Sequence, residues 1–68
     1  MIEIFKTNVQ NNRAANFIIS LLQNDFPDCK INFDLEDCDK ILRIEGKRFN
    51  KKNIVNHLDC LGFICIEL

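Results

Sequence analysis

The chain reads as an α+β sandwich of four short strands and two helices in the order βαββαβ, on three observations. Two segments repeat apolar residues at the three-and-four spacing of a helical face. Four others alternate apolar and polar residues as half-buried strands do. The single proline and both glycines fall where one segment gives way to the next.

Ile2-Glu3-Ile4 opens the chain with strand alternation, which turns Phe5 onto the face opposite Ile2 and Ile4. A polar stretch follows, Lys6 to Arg13. In a small domain such a loop is where chemistry would sit, yet it holds no cysteine, histidine or carboxylate. Asn11 or Asn12 can cap a helix by accepting from its orphan amides. Ala14, Phe17, Ile18, Leu21 and Leu22 then mark one helical face, widened by Ala15, Ile19 and Phe26. Pro27 ends this helix by Phe26, because the residue before a proline avoids helical geometry.

Ile31, Phe33 and Leu35 alternate with Asn32, Asp34 and Glu36 as a second strand. After the turn at Glu36-Asp37-Cys38-Asp39, Leu42 and Ile44 alternate with Ile41, Arg43 and Glu45, and Gly46 closes this third strand. Asn50 caps the second helix, with Phe49 placed to staple against Ile54. Ile54, Val55, Leu58 and Leu61 form its buried stripe, and Gly62 stands where a left-handed residue ends a helix. Phe63 to Leu68 completes the sheet, with Ile64, Ile66 and Leu68 on one face and Phe63, Cys65 and Glu67 on the other.

Sixty-eight residues make one domain, 1–68, near the lower limit at which a hydrophobic core alone suffices. Association with a partner surface would help such a chain. Nine basic and ten acidic residues leave a net charge of −1, which removes the electrostatic argument for a nucleic-acid or membrane binder. The absence of Tyr and Trp argues further against an RNA-binding sheet. The start Met1-Ile2-Glu3-Ile4-Phe5 resembles neither a signal peptide nor a spanning segment, so the expected compartment is the cytoplasm. There the four cysteines are expected as free thiols.

Two right-handed β-α-β units on one sheet give a ferredoxin-like sandwich, strand order 4-1-3-2, both helices on one face. One end then gathers the Thr7–Asn12 loop, the hairpin carrying Cys38 and the Leu61-Gly62 turn beside Cys60. Cys29 falls at the opposite end.

Phe33-Asp34-Leu35-Glu36, Leu42-x-Ile44-x-Gly46 and Ile54-x-x-x-Leu58-x-x-x-Gly62-Phe63 resemble the second strand, third strand, second helix and closing turn of the heavy-metal-associated domain of copper chaperones and copper-transporting ATPases. The resemblance runs nearly the full length. It implies the same sandwich and, in that family, a Met-x-Cys-x-x-Cys loop gripping a soft ion. Here that motif falls on Val9-Gln10-Asn11-Asn12-Arg13-Ala14, so Asn11 and Ala14 stand where two thiolates would be. An amide oxygen and a methyl group do not replace soft sulfur ligands. No cofactor is expected.

Other residues offer alternatives. Cys38 and Cys60 at the loop end, or Cys65, could form a degenerate copper, zinc or thiol-redox site, although Cys60-x-x-x-x-Cys65 matches no common zinc spacing. The acidic hairpin lacks the glycine and distant glutamate of a calcium loop. His57, the single histidine, has no partner assignable from sequence, and no nucleophile, base or oxyanion site can be assembled, so no enzyme is expected. Lys47-Arg48-Phe49-Asn50-Lys51-Lys52 is basic, but Phe49 already serves the helix start.

The strongest signal is the sheet face away from the helices, where Phe5, Ile41, Phe63 and Cys65 are expected to cluster amid Glu3, Arg43, Glu45 and Glu67. Open antiparallel faces are normally polar. An apolar patch there reads as a contact surface for a protein partner or for a second copy.

Overall fold

Asn11 and Asn50 start the two helices by one device: each side-chain oxygen accepts a backbone amide of the first turn, Ala14 N–H at 2.8 Å and Lys52 N–H at 2.9 Å. In the computed structural model, which describes residues 1–68, the elements are β1 (Ile2–Thr7), α1 (Asn12–Asp25), β2 (Lys30–Asp34), β3 (Ile41–Glu45), α2 (Lys51–Cys60) and β4 (Cys65–Glu67). The four strands form one antiparallel sheet in the order β2-β3-β1-β4, which is the expected order read from its other edge. The architecture is a ferredoxin-like α+β sandwich, and both helices contribute to a single core on one side of the sheet.

Helix α2 ends in a Schellman motif. Gly62 at φ 87° donates to Asp59 O at 3.0 Å, and Phe63 donates to Leu58 O at 2.9 Å. Phe63 folds back onto the core that contains Leu58, which is the apolar contact this motif favours. Gly46 has a different reason to be glycine. A β-carbon there would lie 2.5 Å from the Cys29 sulfur, so the chain after β3 can pass the buried Cys29 only without a side chain.

Phe5, Val9, Ile18, Leu22, Leu42, Ile44, Ile54 and Leu58 are fully enclosed. That list reverses the expected faces of β1 and β4. Cross-strand partners share a face, and Phe5 pairs with Leu42 while Thr7 pairs with Cys65, all four buried under the helices. Phe5 and Cys65 therefore lie on the core side, and half-buried Phe63 packs there too. Ile2 and Ile4, opposite Glu45 and Arg43, face outward instead.

The physical reason is parity. Both strands carry apolar residues at odd and even positions, so alternation fixes which residues go together but not which set goes in. For β1 the odd set wins because Phe5, Thr7 and Val9 continue one face into the loop, and Phe5 fills more core volume than Ile2 or Ile4. The inversion also sends Glu3 and Glu67 to the helix side of the sheet. Lys51, in the first turn of α2, answers both, at 3.8 Å from Glu3 and 3.4 Å from Glu67. The other Glu3 oxygen, Oε2, is buried without a hydrogen-bond partner.

Helix α1 is likewise rotated from the face the sequence suggests. Ala15, Ile18 and Leu22 are buried, whereas Phe17 is 55% exposed. Two overlapping apolar stripes run along this helix, and the one through Ala15 meets the sheet.

Candidate functional site

The loop between β1 and α1 is fastened at every turn. Val9 is enclosed in the core, and Thr7 Oγ1 donates to Lys40 O while accepting Val9 N–H at 3.2 Å. Thr7 N–H donates to Asp39 O at 3.0 Å, and Asn8 Oδ1 accepts Ile64 N–H at 2.8 Å. These bonds draw the loop, the β2–β3 hairpin and the start of β4 to one end, as the topology predicts. At the two positions the resemblance assigns to thiolates, Asn11 is occupied as the α1 cap and Ala14 is partly covered by the core.

The hairpin brings together Asp37, Cys38 and Asp39, whose ligand atoms lie within 4.8 Å of one another. Cys38 and Cys60 are both exposed, but Cys60 stands on the last turn of α2 and does not belong to that group. Two carboxylates and one thiolate are a mixed hard and soft donor set, unlike the paired sulfurs that select Cu(I). The carboxylates already have local work: Asp37 Oδ1 accepts Asp39 N–H at 2.8 Å, and Asp39 lies 3.5 Å from Lys6 Nζ. Cys65 is removed from thiol chemistry by its burial, which, with the nearby charges of Asp59 and Glu67, pushes its pKa up to about 12.

A groove of about 410 Å³ runs between the ends of the helices, lined in part by Leu21, Asp25, His57, Cys60 and Leu61. His57 has partners that the sequence did not disclose. Its Nδ1 meets Asn53 O at 2.7 Å and its Nε2 meets the Asp25 carboxylate. Both partners only accept, so both ring nitrogens donate and the imidazolium is favoured. The Asn53 carbonyl first, and then Asp25, raise the His57 pKa above its ordinary value against the opposing effect of burial. Both of its ring nitrogens are engaged, by Asn53 O and by the Asp25 carboxylate, so neither is turned toward Cys60 as a free base. It ties α1 to α2 rather than acting as a base.

The open face of the sheet is divided lengthwise. On β1 and β4 it carries Ile2, Ile4 and Ile66, with Leu68 just beyond the strand end; Ile2 and Ile66 are each 51% exposed and Leu68 is 70% exposed. On β2 and β3 it carries Lys30, Asn32, Asp34, Arg43 and Glu45, with half-buried Ile41 at the hairpin end. Arg43 and Glu45 pair at 3.3 Å. Lys6 stands on β1 opposite Ile66.

No family model, curated protein or solved structure matches the chain. What this surface does is decided by its own chemistry. Of the contact residues expected from sequence, only Ile41 lies on the open face; Phe5, Phe63 and Cys65 belong to the other side. The apolar strip is nevertheless present, built from Ile2, Ile4, Ile66 and Leu68. The signal for it was Ile64-x-Ile66-x-Leu68, three branched side chains in strict alternation, assigned to the wrong side.

Proposed function

We propose that this chain is a protein-interaction domain on a heavy-metal-associated scaffold that has lost its ligand pair, working in the cytoplasm through the open face of its sheet. The observation that carries this reading is the strip of Ile2, Ile4, Ile66 and Leu68, half or more exposed at three of its four positions. Such a strip on a face that water should cover marks a surface kept for a partner. The charged half beside it supplies the polar rim of an interface. The vacated ligand positions and the committed nitrogens of His57 support binding over chemistry.

A photo-crosslinking residue placed at position 66, and separately at position 52 on the exposed side of α2, tests the reading in the producing cell. A discrete adduct from position 66 and none from position 52 is the expected result. No adduct from position 66 would end it.

A second reading is favoured by the convergence of Asp37, Cys38 and Asp39: a weak divalent-cation site in the hairpin. Zinc titration of the wild type and of Cys38→Ser under reducing conditions separates it, since equal affinities would leave the thiol without a role.

A further inference from the structure

We infer that the partner of the open face is a second copy of this chain, packed sheet on sheet about a twofold axis that crosses the strands at the level of Ile4. This inference rests on the contact reading above and adds the identity of the occupant.

The register supplies the argument. Across the open face the residues fall in three rows. The first runs Lys30, Glu45, Ile2; the second Asn32, Arg43, Ile4, Leu68; the third Asp34, Ile41, Lys6, Ile66. A twofold lying in the plane of contact and perpendicular to the strands sets each strand over its own copy and exchanges the first row with the third. The middle row then meets itself, Ile4 on Ile4 and Leu68 on Leu68, while Ile66 reaches past the end of the partner's β4 beside its Ile2. Lys30 of one copy faces Asp34 of the other, twice. Lys6 arrives over Ile2 beside Glu45, again with opposite signs.

The alternative axis, parallel to the strands, lays the isoleucines of β1 and β4 over the charged half. That arrangement sets Glu45 on Ile2, Arg43 on Ile4, Asp34 on Ile66 and Lys6 on Ile41, whereas the crosswise axis leaves only Lys6 on Ile2 and Glu45 on Ile41, side by side and of opposite sign, so the crosswise axis is the one the pattern selects. Its one like-charged meeting is Arg43 near the axis, and each Arg43 is answered within its own copy by Glu45 at 3.3 Å. An isologous contact requires a patch complementary to itself, and the Ile4–Leu68 row and the Lys30–Asp34 pair meet that requirement.

Size sets the strength. The molecule measures 27 × 21 × 17 Å across its Cα atoms, so even its largest cross-section stays below the ~800 Å² per partner of stable complexes. The expected dimer is weak and depends on concentration.

Sedimentation velocity over a concentration series tests this with wild type, Ile4→Glu, Lys30→Asp, Asp34→Lys and the double variant Lys30→Asp/Asp34→Lys, each checked for folding by thermal melting. The wild type is expected to shift from 8.0 kDa toward twice that mass as concentration rises. Ile4→Glu, which sets glutamate on glutamate at the axis, abolishes the shift. Each single charge reversal weakens association roughly tenfold by setting like charges together, and the double variant recovers it because both reversed charges again face opposites. A double variant no better than the singles overturns the twofold. A wild type monomeric to about 1 mM overturns the dimer altogether. In that case a crosslinked adduct from position 66 of a mass other than twice the chain sinks the self-association and leaves the contact reading standing, whereas no adduct sinks both.

Discussion

The Asn11 side chain accepts the backbone N–H of Ala14 at 2.8 Å, so the two residues at the ligand positions of the resembled family are bonded to each other. The bond satisfies one orphan amide of α1. What would be a mouth for an ion is here the first turn of a capped helix.

If the scaffold is that of the resembled family, the missing sulfurs are all that separates the loop from binding. The variant Asn11→Cys/Ala14→Cys is expected to gain Cu(I) affinity in competition with a chelator, where the wild type gains none. It loses about 1 kcal/mol of stability with the cap. A double variant that competes no better than wild type would show that this loop does not hold the two positions at ligand geometry.

The His57 clasp makes stability depend on pH. Its pKa is raised in the folded protein, chiefly by the Asn53 carbonyl and next by Asp25. A group raised on folding contributes its stability fully below its unfolded value, about 6.5, and loses it as pH climbs through the folded value. Thermal midpoints of the wild type should therefore fall as pH rises from about 6.5, where the carboxylates are already ionised. His57→Gln should flatten that slope, and Asp25→Asn should reduce it. Parallel slopes in wild type and His57→Gln would remove the histidine from the account.

Gly46 and Cys29 form a coupled pair. Gly46→Ala drives a methyl to 2.5 Å from the Cys29 sulfur and is expected to cost about 1–3 kcal/mol through overpacking. Cys29→Ala removes that obstacle, so the double variant should be more stable than the sum of the single losses predicts. Denaturant unfolding of the four proteins gives the coupling directly, and strict additivity would mean that backbone conformation, not the sulfur, demands glycine. Gly62→Ala is the contrasting case. Nothing crowds a β-carbon there, so its expected cost of about 1–2 kcal/mol comes from the left-handed φ alone.

Caps, stops and element order are written locally, which is why Asn11, Asn50, Pro27 and Gly62 could be read from sequence with the strand order that follows from them. The side of the sheet each strand buries is decided by tertiary contacts between segments far apart in the chain. Ile2-Glu3-Ile4-Phe5 satisfies either choice by alternation. Only the pairing of Phe5 with Leu42 and the burial of Val9 beyond it decide between them. The His57–Asp25 contact spans 32 residues and joins two helix faces, and neither residue announces the other. An exposed apolar strip could be anticipated because the chain has more alternating branched residues than one face of a small sheet can bury. Its membership waited on the register.

That register yields the sharpest prediction, because the two assignments of β1 and β4 give opposite mutational outcomes. With Phe5 enclosed against Leu42 and Val9, Phe5→Ala removes about 3–5 kcal/mol. A chain of this size holds about 3–10 kcal/mol in all, so that variant should be largely unfolded. Phe5→Leu keeps most of the volume, costs about 1–2 kcal/mol and gives a measurable melt. Ile66→Thr and Leu68→Thr, on the outer face, should shift the monomer's stability by no more than about 0.5 kcal/mol. These melts are run at low protein concentration, where association contributes nothing to the midpoint. Should Ile66→Thr cost more than Phe5→Leu, β1 and β4 would be turned the other way, and the contact strip would lose the residues that define it.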